Sequence, residues 1–325
     1  MKIIIFPETN YLYKMSNTHT SIHDNFIRAI LSSKTIATEY FRNYLPESIS
    51  SKLNFSTLTQ IPDTYLSDQL KKSISDIVFS CEKNDTPDVV KICLLIEHKS
   101  YPDKYTPLQI GHYIFSGLQK QVENKEELSI IIPVLLYHGK GKWKYQTLAS
   151  LFKNPEPEWK QYLPDFEYIY NNLGEISDEQ VETLNNKFLL ASILALKHSF
   201  EKEWLKLNAR RILLLISEES EKLQKSFVIY LFINSGLEEE AIEEIIHSLP
   251  ITLKDTIMNT LDIFIEKGKK IGMERGIQTG IEIAKLDFVE SLLRNTDFST
   301  VKIAELTGVS EMIVNSVLKQ INDQQ

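Results

Sequence analysis

Cysteine is scarce in this sequence, and long apolar runs are missing. The 325 residues include two cysteines, Cys81 and Cys93, too few for a disulfide framework or a four-thiolate zinc site. No apolar stretch approaches the ~20 residues that a membrane-spanning helix needs, and the apolar patch in MKIIIFPETNYLYK is too short for a secretion signal. We therefore expect a cytoplasmic protein with no membrane partner and with free thiols packed as small apolar groups. Met1 and Met15 are both candidate starts.

An excess of positive charge is also missing, because the formal net charge is −8. Residues 1–175 hold 19 Lys and Arg against 20 Asp and Glu, whereas residues 176–325 hold 17 against 24. The excess of Asp and Glu over Lys and Arg thus lies mainly in residues 176–325. Overall acidity weakens non-specific attraction to phosphate, but it leaves room for a local basic channel.

The pattern of apolar residues changes near residue 177. Before it, helical and strand patterns alternate: a helix over 23–45 broken near Ser32-Ser33, two strands within 71–100, a helix over 107–124, and strands within 128–143 and 165–174. After it, with Ser177 as N-cap, the chain is helical and acidic. We predict a mixed α/β domain at 17–176, a helical domain at 177–266 and a separate tail at 267–325.

The stretch VVKICLLIEHKSYP, residues 89–102, passes abruptly from apolar to charged side chains. Side chains two apart in a strand share a face, so Glu97 and Lys99 point the same way. If the preceding hairpin turns at residue 86, paired positions sum to about 173, and Asp76 lies directly opposite Glu97.

Two opposed carboxylates repel each other unless a cation lies between them. Hard oxygen ligands suit Mg²⁺ or Mn²⁺, so Asp76 and Glu97 are candidate metal ligands. Lys99 could orient water or stabilise charge on a phosphate. This pattern predicts metal-assisted phosphodiester hydrolysis; solvated charges at a strand end are the alternative.

The motifs HDNFIRAIL, YFRNYLP, SDIVF, LLIEHKS and IPVLLYHGKGKW, with the glycine-periodic tail, resemble the Rpn recombination-promoting nucleases, also called YhgA-like transposases. The resemblance implies the PD-(D/E)XK nuclease fold, a mixed sheet flanked by helices with its active site at a sheet edge. It assigns Asp76, Glu97 and Lys99 as catalytic residues, and Asp76 and Glu97 as metal ligands. Many members of the family carry Gln at the position that Lys99 occupies in this chain.

Three supporting residues are also predicted. The resemblance makes Asp24, near the start of the first helix, a metal or substrate contact; a helix-capping role is the alternative. Gln109 and Tyr113 form a Q-x-x-x-Y pattern that resembles one in exonuclease branches of the superfamily. An exposed helix pair would look the same.

Lysines alternate with glycines in the segment YHGKGKW. Lys140 and Lys142 could contact phosphate while Trp143 stacks on a base. A solvated turn is the alternative.

Glycine recurs every four residues in the tail, at Gly268, Gly272, Gly276 and Gly280. Each costs about 1 kcal/mol relative to Ala inside a helix, so we predict a soluble self-association helix; a flexible connector is the alternative. The last residues resemble a helix-turn-helix with Gly308 in the turn. Met258 and Met273 could start a short C-terminal product of the same gene that binds the full chain.

The sequence thus predicts a Mg²⁺- or Mn²⁺-dependent endonuclease that acts on double-stranded DNA with low sequence specificity. From the resemblance alone, its role would lie in recombination, mobile elements or phage defence. We also expect a homo-oligomer formed through residues 267–325. The rival hypothesis is a catalytically inert DNA-binding or regulatory protein that acts through this C-terminal oligomerisation.

Overall fold

The computed structural model describes residues 22–61, 77–86, 88–97 and 103–322. The strands are β1 Leu53–Ile61, β2 Ile77–Lys83, β3 Val89–Glu97, β4 Ile130–Tyr137 and β5 Ile169–Asn172. The helices are α1 22–31, α2 Lys34–Tyr44, α3 Glu47–Ser50, α4 Thr106–Glu123, α5 Asp178–Val181, α6 Lys187–Lys197, α7 Lys202–Leu215, α8 Glu221–Ser235, α9 Glu239–His247, α10 Ile251–Asn295, α11 Thr300–Thr307 and α12 Glu311–Asn322. Short 3-10 helices span Ala149–Leu151, Pro157–Tyr162 and Leu173–Glu175. The fold is therefore mixed α/β, as the sequence predicts at this level.

The chain forms two compact units, Met1–Met258 and Asn259–Gln325. The predicted boundary at residue 177 falls inside the first unit, and the one at 267 falls eight residues after the start of the second. Within the described ranges, no helix is long and apolar enough to cross a bilayer.

The described strands form one five-stranded sheet in the order β1-β2-β3-β4-β5. β1, β2 and β3 pair antiparallel, whereas β3, β4 and β5 pair parallel. The carboxyl ends of β3 and β4 therefore lie side by side.

The register of the β2–β3 hairpin differs from the predicted one. Its Cα partners, such as Ile77 with Leu94, sum to 171 and not 173. The reason is a turn closed one residue earlier, where the Lys83 amide donates to the Asp88 carbonyl at 3.0 Å and the two side chains form an ion pair at 3.1 Å. The predicted pair of Asp76 and Glu97 itself lies outside the described residues.

The cysteines are not opposite each other in this ladder, since Cys81 pairs with Val90 and Cys93 with Val78. Cys81 is a buried free thiol, as expected. Burial raises its pKa, and the hydrogen bond with Thr57 partly offsets this effect, so the thiol is poorly nucleophilic.

Helices cover both faces of the sheet. On one face, α2 packs through Phe41, whose ring centroid lies 5.1 Å from that of Phe79, and through Tyr40, whose hydroxyl accepts a hydrogen bond from Asn171 at 3.2 Å. On the other face, α4 and the connection between β4 and β5 contribute to one apolar cluster. Its buried members are Val78, Ile110, Tyr113, Leu135, Tyr137, Trp143 and Tyr168.

Helices that follow residue 177 pack against α1 and α2. The ring of Phe26 stacks on Tyr230 of α8 at a centroid distance of 3.9 Å and meets Phe227 edge-on at 5.8 Å. Glu39 of α2 accepts a hydrogen bond from the Asn186 amide at 2.8 Å. Helices α6 to α8 thus complete the core of the first unit.

The second unit has its own small core. Val289, Ile303 and Val314 of α10, α11 and α12 are all buried there. Gly308 ends α11 with a φ of 65°, a left-handed conformation that suits glycine. The two short helices about this turn match the sequence prediction for this segment.

Candidate active site at the carboxyl ends of β3 and β4

Glu97 is the last residue of β3, and its Cα pairs with that of Tyr137, the last residue of β4. Of the predicted catalytic residues, the backbone of Glu97 alone is described. Asp76 and Lys99 lie outside the described residues. The structure thus locates one predicted acid at the edge where two parallel strands end.

Tyr137 shapes the loop that follows β4. Its buried hydroxyl donates to the Gly141 carbonyl at 2.8 Å and accepts from the Gly141 amide at 3.1 Å. A Cβ on Gly139 would lie 2.5 Å from the same hydroxyl oxygen, so only glycine fits at that position without a shift. The loop therefore folds back over the end of the strand. Burial raises the pKa of Tyr137, and this bond to Gly141 opposes the rise.

The structure corrects the prediction that Trp143 stacks on a base. Its ring is 6% exposed and packs edge-on against Tyr137 at 4.9 Å and near Tyr170 at 6.0 Å. A ring buried in this way cannot stack on a base. The sequence showed a Gly/Lys turn, but the rings that cover Trp143 come from the end of β4 and from β5, which pair in the folded sheet.

Lys140 and Lys142 are both exposed, as a phosphate contact requires. The Lys140 ammonium lies 5.1 Å from the centroid of the Phe200 ring, which follows α6. This cation–π contact ties the loop after β4 to the helical part of the unit.

Two histidines that the sequence analysis missed bring α1 to this edge. The ring of His23 lies 4.8 Å from that of His138, the residue after Tyr137. Its Nδ1 atom is 2.8 Å from the Tyr230 hydroxyl. Both histidines are buried. Their adjacency in sequence to Asp24 and Tyr137 is the one signal that could have indicated them.

Asp24 is therefore carried close to the carboxyl end of β4 by its neighbour His23. It is half-buried and lies in the first turn of the helix 22–31, so the capping role also stays a prediction, because an acid in the first turn interacts favourably with the helix N-terminus. Its position is compatible with the predicted supporting role at the candidate site.

Gln109 and Tyr113 lie one turn apart on α4. Tyr113 is buried in the apolar cluster with Val78 and Tyr137, and Gln109 is half-buried. The alternative of an exposed pair is thus wrong for Tyr113, because this face of α4 packs on the sheet. Tyr113 supports the strands that end at the site through packing.

No cluster of three or more His, Cys, Asp or Glu side chains suited to a metal occurs in the part of the chain that the structure describes. The predicted ligands are not fully within that part. Their chemistry, two carboxylates, nevertheless matches the hard oxygen ligands that Mg²⁺ and Mn²⁺ prefer.

Comparison with known proteins identifies the class. Residues 21–226 match the profile of the family described as "Putative transposase, YhgA-like". This match covers more than half of the chain, which therefore belongs to the YhgA-like transposase family. No solved structure matches the chain.

Three relatives come from Escherichia coli K-12. The inactive recombination-promoting nuclease-like protein RpnE is 21% identical over 294 residues, covering 89% of this chain and 97% of RpnE. The recombination-promoting nuclease RpnC is 22% identical, covering 48% of this chain and 52% of RpnC. The recombination-promoting nuclease RpnA is 26% identical, covering 36% of this chain and 40% of RpnA. The RpnC and RpnA matches thus span about half of those proteins or less.

Proposed function

We propose that this chain is a metal-dependent DNA endonuclease of the PD-(D/E)XK type with low sequence specificity, acting in recombination, mobile elements or phage defence. The position of Glu97 carries the proposal, because this acid ends β3 beside the end of a parallel strand and near α1. Two relatives named as recombination-promoting nucleases support it.

The hairpin register supports a shared site for Asp76 and Glu97. If the register observed from Ile77 to Glu82 held for one residue more, Asp76 would lie opposite Leu95. Position 97 is two residues further along and belongs to the same face. The two acids would then be diagonal neighbours about 7–8 Å apart, which is within reach of two carboxylate side chains around one ion.

Each residue has a distinct role in the proposal. Asp76 and Glu97 hold the ion, which when bound polarises the scissile phosphate and lowers the pKa of a bound water. Lys99 orients the attacking water or stabilises negative charge on the phosphate. Asp24 and Gln109 support the site, and Lys140 and Lys142 contact the backbone of double-stranded DNA.

Glu97→Gln tests the assignment, since it keeps the shape of the side chain and removes the charge. We expect it to reduce Mg²⁺- or Mn²⁺-dependent nicking of supercoiled plasmid at least about 100-fold, with EDTA abolishing the wild-type activity. Glu127→Gln, an exposed change, is the control and should cut normally. Equal cleavage by both variants would refute the role of Glu97.

A catalytically inert DNA-binding or regulatory protein is the second candidate. The observation in its favour is that RpnE, whose match covers most of both chains, is named inactive. DNA binding without cleavage at any tested divalent ion would select this candidate.

Residues 267–325 provide the proposed homo-oligomer contact. Helix α10 spans Ile251–Asn295 and contains all four glycines. A Cβ added at Gly272, Gly276 or Gly280 would meet no described atom within 4 Å, which leaves this side open to another chain. A short C-terminal product of the same gene would bind there, and an immunoblot for a C-terminal epitope would detect it.

A further inference from the structure

Exposed aromatic side chains are concentrated in the connection between β4 and β5. Tyr145, Phe152, Trp159 and Tyr162 are 40%, 46%, 63% and 78% exposed. Buried Trp143 and Tyr168 anchor the two ends of this connection in the apolar cluster, and the Tyr168 hydroxyl donates to the Gln146 carbonyl at 2.8 Å. The aromatic rings are thus held out to solvent by a fixed base.

Trp159 and Tyr162 form a pair on the 3-10 helix Pro157–Tyr162. Side chains three residues apart eclipse each other in a 3-10 helix, so these two rings project on the same side. Pro157 at the first turn and the bond from the Trp159 amide to the Glu156 carbonyl at 2.9 Å fix the backbone. The backbone that carries the pair is thus ordered before a ligand binds.

Lysines outnumber glutamates where the connection leaves β4. Residues 139–164 contain five lysines against two glutamates, in a chain whose net charge is −8; Lys140, Lys142 and Lys144 precede the exposed rings, and Lys153 and Lys160 lie among them. Lys160 lies between the two rings in sequence, and it lines an open cavity of about 630 Å³ together with Phe152 and Asn154. Asp165 also lines this cavity. Aromatic rings interleaved with lysines are the combination that binds single-stranded nucleic acid.

We propose that this surface, residues 145–162, binds single-stranded DNA. Trp159 and Tyr162 stack on successive bases, and Lys153 and Lys160 contact the phosphates. The connection starts after Tyr137, whose Cα pairs with that of Glu97, so one chain segment joins this surface to the candidate active site. That this strand is part of a substrate rests on the proposed function; the binding itself does not.

A membrane surface fits the segment less well. Glu156, Glu158 and Asp165 interrupt the aromatic positions, whereas segments that lie on a membrane surface are rich in Lys and Arg on their polar face.

Fluorescence anisotropy with a labelled 20-nucleotide oligo(dT) tests the surface on the full chain in EDTA, where no cleavage occurs. Trp159→Ala and Tyr162→Ala should each weaken binding at least about fivefold, while Trp159→Phe, which keeps an aromatic face, should retain most of the affinity. Lys153→Ala with Lys160→Ala should flatten the salt dependence by about 0.7 per lysine. Phe298→Ala and Lys206→Ala, at exposed positions elsewhere, are the matched controls.

The outcomes separate this proposal from the nuclease assignment. Glu97→Gln should bind oligo(dT) like the wild type, so loss of nicking with normal binding leaves the surface intact. Unchanged affinity in Trp159→Ala and Tyr162→Ala overturns the surface even if the plasmid is cut. Loss of binding to phosphatidylserine vesicles in these variants, with oligo(dT) binding unchanged, would assign the surface to membranes and also overturn the proposal.

Discussion

At the end of β4, one hydroxyl group organises the loop that borders the candidate site. Tyr137→Phe removes both hydrogen bonds to Gly141 and leaves that backbone without its partner. We expect the free energy of unfolding to fall by about 1–2 kcal/mol, measured by urea denaturation. Tyr162→Phe, which changes an exposed hydroxyl, should leave stability within about 0.5 kcal/mol of the wild type; an equal loss in both would contradict the structural role of Tyr137.

Asp178 links α5 to the end of α6. Burial acts to raise its pKa, but hydrogen bonds from Lys197 and His198 outweigh burial and lower the pKa below the ordinary 3.8. A lowered folded-state pKa contributes stability above the unfolded value, and this contribution disappears as the pH falls through the folded value. Asp178→Asn should therefore be less stable than the wild type at pH 7.

Stability curves over pH measure this effect. The difference between the wild type and Asp178→Asn should shrink below about pH 4 as the wild-type carboxylate is protonated. Asp287→Asn, at an exposed position in the second unit, is the control and should follow the wild type throughout. A difference that persists unchanged into strong acid would mean that the charge of Asp178 is not its cause.

Several elements could be predicted from the sequence, because the residues that specify each of them are neighbours in the chain. The break at Ser32-Ser33, the N-cap Ser177 and helix α4 all agree with the structure. Strand β1 was missed. Its polar residues and the irregular pairing with β2 between Asn54 and Thr59 obscure the alternation that indicates a strand. Surroundings such as those of Trp143 arise from tertiary packing, which no local pattern contains.

The exposed glycines of α10 allow a prediction about helix stability. Because a Cβ at Gly272, Gly276 or Gly280 would meet no described atom, alanine fits within the isolated chain. Each change should stabilise the helix by about 1 kcal/mol, seen as a higher melting temperature by circular dichroism. Gly308→Ala is the contrasting control and should destabilise, because the φ of Gly308 is 65°.

The same alanine variants test self-association by sedimentation velocity. If close backbone approach at the glycines holds two chains together, the triple alanine variant should shift the protein toward monomer despite its more stable helix. Wild-type protein that is already monomeric at high concentration would refute the oligomer. Unaltered oligomers in the variant would move the contact away from the glycine face.

At the scale of the whole molecule, helices α6 to α8 belong to the core of the first unit. Phe26 stacks on Tyr230, and His23 contacts the same tyrosine. Loss of α8 would expose these side chains, and removing the contacts of one buried aromatic typically costs about 3–5 kcal/mol, a large part of the stability of a typical domain. A chain ending at residue 176 should therefore be unfolded or aggregated.

A chain ending at Met258 should instead unfold cooperatively and retain metal-dependent nicking, because it keeps α6, which contacts α2, and α8, which contacts α1. Thermal unfolding followed by circular dichroism, with plasmid nicking on the same samples, compares the two truncations. The sequence alone placed a boundary at residue 177, where the composition changes. The change of composition arises from exposed residues after residue 177. It does not reveal that buried residues of these helices, such as Phe227, pack against α1. A soluble chain of residues 1–176 with a sharp unfolding transition would show that the first α/β part folds without them.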